Sequence, residues 1–165
     1  MTTLAEYQKL ALQTAMPEAF LPSYLVPSIV GEVGELFGKR GKAVRDHWEP
    51  ERLDRELAAE YGDVLWMTAI LLHVENQDSV VLGSGTREHR DPWYELLDIS
   101  QWLYEEHMQD VHPRLTQPAR QMWKVLARNC QAITGHSLDE VMAINIEKLL
   151  SRQARGVLTG SGDDR

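Results

Sequence analysis

Along this chain apolar residues recur three and four positions apart far more often than they alternate, so the pattern predicts helices; the short run Val80-Val81-Leu82 is the one strand-like stretch. A first helix is expected from Thr3, where Thr3 and Glu6 fit a capping box, to just before Pro17. The segment PEAFLPSYLVP, with its three prolines, reads as an irregular connection with apolar anchors. A second helix should run from about Ser28 to Arg45 and a third from Pro50 to His73. NQDSVVLGSGTREHRD is rich in turn formers and reads as a surface loop carrying His89, after which Asp91-Pro92 opens a fourth helix reaching about Gln109. Pro113 and Pro118 bracket another break, a fifth helix covers Pro118 to Thr134, and Gly135 stops it. Ser137-x-x-Glu140 is a second capping box, opening a last helix to about Arg155 ahead of a glycine-rich tail, residues 156–165. The expected fold class is an all-α helical bundle: a single domain spanning residues 1–165.

A chain of 165 residues can bury one core without staples. With 43% hydrophobic and 25% charged residues it reads as globular, and no stretch approaches the roughly 20 apolar residues of a bilayer span. No membrane partner and a cytoplasmic location are therefore expected, since MTTLAEYQKL lacks the pattern of a secretory signal. Cys130 is the single cysteine, which excludes an internal disulfide and a Cys-x-x-Cys zinc site. A net charge of -8 argues against nucleic acid as a partner, because phosphate-backbone affinity comes from clustered Lys and Arg.

The acidic excess has a pattern. On the second helix Glu32 and Glu35 border the apolar arc of Ile29, Val33 and Leu36, and Lys39 and Lys42 continue the same stripe. Gly31, Gly34, Gly38 and Gly41 cluster on another flank, where a neighbouring backbone is expected to come close enough to offset about 1 kcal/mol each of lost helix propensity. On the third helix, apolar nearly all round, Glu56, Glu60 and Asp63 share a narrow inward sector. Inward carboxylates cost several kcal/mol each unless cations or raised pKa values compensate, and a divalent metal does this economically. An all-oxygen donor set suits Mg²⁺, with Mn²⁺ or Ca²⁺ as relatives. On the last helix Asn145, Lys148 and Arg152 share the side that carries Val141 and Leu149, and phosphate oxygens would suit them. Each feature also has a plain reading: glutamates three apart are common on solvated faces, and Lys39 and Lys42 serve equally as partners of Glu35 or Asp46. The paired Glu-x-x-Glu and Glu-x-x-Asp on two apolar helices favours the metal.

Three other chemistries lack their residues. No His-Asp dipeptide is present, no histidine has a glutamate three residues before it, and LGSGTR lacks the lysine of a phosphate-binding loop.

The combination resembles the MazG-like nucleotide pyrophosphohydrolases. GEVGELFGKRGKAVRD is similar to that family's first metal helix and its basic continuation, ELAAEYGDVLW to the second, and NIEKLLSRQARGVLTGSGDDR to the C-terminus of short members found in bacteriophages. The likeness covers residues 1–73 and 137–165, and breaks at residues 74–136, where this chain inserts a loop and two helices. The resemblance implies a bundle assembled as a homo-oligomer, dimer or tetramer, and magnesium held by Glu32, Glu35, Glu60 and Asp63, with manganese as substitute. It implies a nucleoside triphosphate as substrate, contacted by Asn145 and Lys148 and helped by Lys39, and cleaved by water at the α-phosphorus to a monophosphate and pyrophosphate.

In that reading one carboxylate, for which Glu35 is favoured, orients or deprotonates the water, and the lysines stabilise the departing pyrophosphate. The alternative is a non-catalytic nucleotide-sensing or protein-interaction module of the same fold. Trp93, Trp102 and Trp123 on the insertion are expected to add apolar surface that drives multimer formation. Neutralising Glu60 or Asp63 is expected to abolish turnover and to raise metal-free stability by relieving repulsion.

Overall fold

The computed structural model describes residues 4–77, 90–108 and 115–156, and every regular element among them is a helix. In chain order these are α1 (Leu4–Gln13), a 3₁₀ turn (Pro17–Phe20), α2 (Pro22–Asp46), α3 (Pro50–Val74), α4 (Pro92–Met108), α5 (Thr116–Thr134) and α6 (Leu138–Ala154). The all-α expectation holds. Thr3, the Val80–Leu82 run, His89 and the tail lie outside the described residues, apart from Gly156.

α3 is the central element because from Val64 to Leu72 its sequence has no charged residue to present to water. Leu57, Tyr61, Val64, Leu65, Ile70 and Leu71 are buried, and α1, α2, α5 and α6 all pack against it. The Tyr61 hydroxyl, also buried, satisfies itself on the Leu126 carbonyl of α5 at 2.8 Å. By length and mean hydropathy (1.2) α3 would pass for a membrane span, contrary to the sequence expectation, yet 72% of that window is buried under the other helices. It is a core helix by its surroundings.

α2 begins six residues earlier than the proline content suggests. Pro22 occupies the first turn, where a missing N–H costs nothing, and the Leu25 N–H already bonds to the Leu21 carbonyl at 2.9 Å. Pro27 lies within the helix and removes one bond to Ser23. Burial of Leu25, Val26 and Ile29 around it outweighs that loss.

A second correction concerns the four glycines of α2. No neighbouring backbone approaches them: a Cβ built on Gly31, Gly34, Gly38 or Gly41 meets nothing within 4 Å. Their flank faces open space, so intramolecular packing does not offset their helix cost.

The insertion adds α4 and α5. Asp91 caps α4 by accepting from the Trp93 and Tyr94 N–H groups at 2.9 and 3.1 Å. Buried Glu95 ties α4 to α5, accepting on Oε2 from Arg128 and Asn129, each at 2.7 Å. α5 starts at Thr116, slightly before Pro118, and ends at Gly135 in a left-handed conformation (φ 72°), as expected. Its Cys130 is buried, and burial pushes the thiol up to about 11, so it stays protonated. The expected capping box at Ser137 and Glu140 opens α6. Of the three insertion tryptophans, Trp123 is in the core and Trp93 is half-buried between Phe37 and Arg40, leaving only Trp102 exposed.

Candidate metal centre

Helical spacing places Glu32 on the edge of α2 next to its buried Ile29, Val33 and Leu36, and so turns it toward α3. Glu60 and Asp63, three apart, present the same edge of α3. Glu32, Glu60 and Asp63 each bring one carboxylate oxygen within 4.8 Å of the others, all three residues being half-buried. Adjacent ligands of an octahedral magnesium with bonds of about 2.0–2.1 Å are about 3 Å apart and opposite ones about 4.2 Å, so side-chain rotation toward a common centre would be needed to close these donors on one ion.

Cations already flank the acids. The Lys39 Nζ lies 2.7 Å from Glu56 Oε2 and 3.1 Å from Glu60 Oε1. Although burial alone would lower the Lys39 pKa, these hydrogen bonds raise it. Lys148 of α6 donates to both oxygens of Asp63 at 2.7 Å and reaches the Ala59 carbonyl at 3.4 Å. Asn145 donates from Nδ2 to Asp63 Oδ1 at 2.9 Å, and its own Oδ1 accepts from the buried Tyr7 hydroxyl at 2.9 Å. Burial first, and the Asp63 charge second, hold the Tyr7 pKa well above the ordinary phenol value, so this hydroxyl stays a donor.

Glu32 is the acid these pairs leave over. Its pKa is pushed up to about 7, by desolvation first and then by Asp63, Glu35 and Glu60, with Lys148 opposing. A pocket that holds more carboxylates than its two lysines neutralise favours an added cation, and oxygen-only ligands favour a hard one.

The structure sorts the other expected residues by position. Glu35 lies exposed on the rim, close enough to raise the Glu32 pKa, but its oxygens are not among the three that converge. Glu56 turns to Lys39. Lys42 is exposed, near enough to help lower the Asp46 pKa after Arg45, and Arg152 is half-buried one turn beyond Lys148 and joins none of these contacts.

Tyr7 and Gly62 take part without having been singled out. Tyr7 carries no motif. Gly62 does leave a trace, because a glycine inside a central buried helix implies that something approaches closely, and Asn145 does: a Cβ there would sit 2.8 Å from its Cβ. A cavity of about 560 Å³ opens on the opposite side of α6, between Leu10, Met142, Ile146 and Leu150. Its walls are mostly apolar, with Glu147 and Ser151 at its edge and no Lys or Arg to hold a phosphate.

Comparison of the chain with protein-family models, with curated proteins and with solved structures finds no match. The function must be argued from the site.

Proposed function

We propose that the chain is a magnesium-dependent nucleoside triphosphate pyrophosphohydrolase, forming a nucleoside monophosphate and pyrophosphate, as its resemblance to the MazG-like family implies. The observation that supports this most is the convergence of Glu32, Glu60 and Asp63 from two helices, with Lys39 and Lys148 bound to their outer edges.

Glu32, Glu60 and Asp63 would hold the metal, with manganese able to replace magnesium. Bound there, the metal supplies neutralisation of phosphate oxygens and a lowered pKa for water. The chain's own groups do the rest. Glu35, on the rim beside the convergence, is placed to take the proton of an attacking water. Lys148 and Lys39 can exchange carboxylate for phosphate oxygens, and Asn145, held by Tyr7, keeps its Nδ2 donor aimed at the cluster. Arg152 and Lys42 stand further out, where the distal phosphates of a long substrate would lie.

The rival is a non-catalytic nucleotide-binding or protein-interaction module. What favours it is that each lysine already satisfies an acid, a state that needs no substrate. Incubation with each NTP and dNTP plus magnesium, with products separated by ion exchange, decides between them. Monophosphate and pyrophosphate support the enzyme, whereas retained binding without products supports the module.

A further inference from the structure

The side-chain amide of Asn145 has two ends of almost the same shape and opposite chemistry, an acceptor oxygen and a donor nitrogen. Which end faces the acidic cluster decides what that wall of the site can hold: the nitrogen offers protons to an anion, the oxygen offers lone pairs to a cation. Asn145 is buried, and it packs so closely on Gly62 that a Cβ there would meet its Cβ, Nδ2 and Cγ at 2.8, 3.0 and 3.2 Å. Gly62 closes off movement toward α3, so a half-turn of the amide is the change that keeps its shape.

Two neighbours oppose that half-turn. Asp63 Oδ1 accepts from Nδ2 at 2.9 Å and would face an oxygen after it. On the other side the Tyr7 hydroxyl donates to Oδ1 at 2.9 Å. Its other acceptor, the Gly62 carbonyl, is 3.5 Å away, long for a hydroxyl donor, so a reversed amide would exchange a good buried bond for a poor one. Tyr7 is not free to follow. It is fully buried with its ring 6.2 Å from that of Trp123, and α1 is tied down on two sides: Gln8 donates to the Ala69 carbonyl of α3 at 3.1 Å, and Gln153 of α6 donates to the Gln13 carbonyl at 2.9 Å.

The two holds respond differently to an added cation. A cation among Glu32, Glu60 and Asp63 offsets the Asp63 charge and attracts the amide oxygen, so the hold from Asp63 weakens once the cluster is filled. The hold from Tyr7 lies on the far side of the amide and persists. We propose that Tyr7 is a positioning residue that sets the polarity of the site: by fixing the Asn145 oxygen away from the cluster, it keeps this amide a donor to phosphate oxygens and withholds it from the metal. Asn145 then adds to Lys148 in holding an anion, and the metal keeps an all-carboxylate set. The inference deepens the reading given above and rests on its metal and phosphate, though not on turnover.

Calorimetry on the full chain tests it, first with Mg²⁺ alone and then with inorganic pyrophosphate added to the Mg²⁺-loaded chain. Tyr7→Phe removes the hydroxyl and keeps the ring. It should bind Mg²⁺ several-fold more tightly, because the freed amide can turn its oxygen to the cation. It should bind pyrophosphate about tenfold more weakly, because a donor has been exchanged for an acceptor. Lost packing alone would weaken both. Asn145→Leu, which has neither end, should lose pyrophosphate affinity with no gain for Mg²⁺, and adding Tyr7→Phe to it should change neither further. Melting in EDTA shows whether each variant is folded; if Asn145→Leu is not, the opposite signs in Tyr7→Phe decide alone. Affinities that fall together, affinities unchanged in Tyr7→Phe, or a Tyr7→Phe effect that keeps its full size beside Asn145→Leu would each overturn the assignment. A parent that takes up no Mg²⁺ overturns it together with the metal reading. A parent that binds both probes and yields no nucleotide product leaves Tyr7 in its role and removes the enzyme.

Discussion

Gly62 of α3 and Asn145 of α6 touch where neither has room to spare: a Cβ on Gly62 would lie 2.8 Å from the Asn145 Cβ and 3.0 Å from its Nδ2. That contact fixes the height of α6 on α3, and with it the reach of Lys148 to Asp63. The Asn145 Cβ is fixed to the α6 backbone, so Gly62→Ala must shift the helix and not merely a side chain. We expect it to lower stability by about 1–3 kcal/mol and to weaken Mg²⁺ binding, read by urea midpoint and calorimetry. An unchanged midpoint would remove Gly62 from the account.

Gly135 sets a second close contact, this time with the Asp54 carboxylate, and its φ of 72° is one that side chains resist. Gly135→Ala should cost about 1–3 kcal/mol through both clash and backbone strain. Adding Asp54→Ala removes the clash and leaves the strain, so the double variant should recover part of the loss. Full recovery would show that φ contributes nothing.

The sequence makes one half of the candidate site legible and hides the other. Glu32, Glu60 and Asp63 could be named because acids on the edges of apolar helices must turn inward, whatever the packing. Glu35 could not be sorted from Glu32: three helical positions apart, they differ by about 60° around the axis, enough to put one on the rim and the other inside. Which lysine meets which acid depends on how α6 crosses α3, and no spacing encodes that. The early start of α2 was hidden by Pro27, whose local cost is outweighed by burial of Leu25 and Val26, a tertiary fact. The glycine flank was visible as small residues, but what lies opposite it is not a property of the helix that carries it.

For Glu32 the direction of the pH effect follows from its raised pKa. Between about pH 4.5 and about 7 the folded chain keeps a proton that the unfolded chain has lost, so this residue's contribution to metal-free stability declines as pH rises through that window. Allowing for solvent screening at a half-buried position, the decline is about 1–2 kcal/mol. Glu32→Gln in EDTA should therefore match the parent near pH 4.5 and melt higher at pH 7.5. A variant that melts lower at pH 7.5 would mean the charge is stabilised by a partner.

Neutralising the other acids should not act alike, which departs from what repulsion alone suggests. Asp63 holds Lys148 through both oxygens and accepts from Asn145, so Asp63→Asn strands an ammonium and should lower metal-free stability by about 1 kcal/mol. Glu60 shares Lys39 with Glu56, so Glu60→Gln leaves that lysine paired and should be close to neutral. Thermal melts in EDTA separate them, and equal effects would contradict the pairing. Both variants should lose turnover.

The bond broken distinguishes the proposed enzyme from a phosphatase that releases orthophosphate. Glu32, Glu60 and Asp63 gather charge at one place between α2 and α3, and Glu35 stands beside it. Lys148 borders that place through Asp63, and Arg152 lies one turn further along α6. A triphosphate bound with its distal phosphates along α6 exposes the α-phosphorus to the water near Glu35 and leaves pyrophosphate among the cations. An analogue bridged by carbon between the α and β phosphorus should then resist cleavage, because the bond to be broken is missing. A β,γ-bridged analogue should still yield the monophosphate, with the bridged diphosphonate as the other product. Glu35→Gln should slow that cleavage by about 10²–10⁴-fold with little change in Mg²⁺ affinity, as befits a base that is not one of the converging ligands. A nucleoside diphosphate as first product would place the water at the γ-phosphorus and sink the proposed orientation, even with the helices and the acidic cluster unchanged.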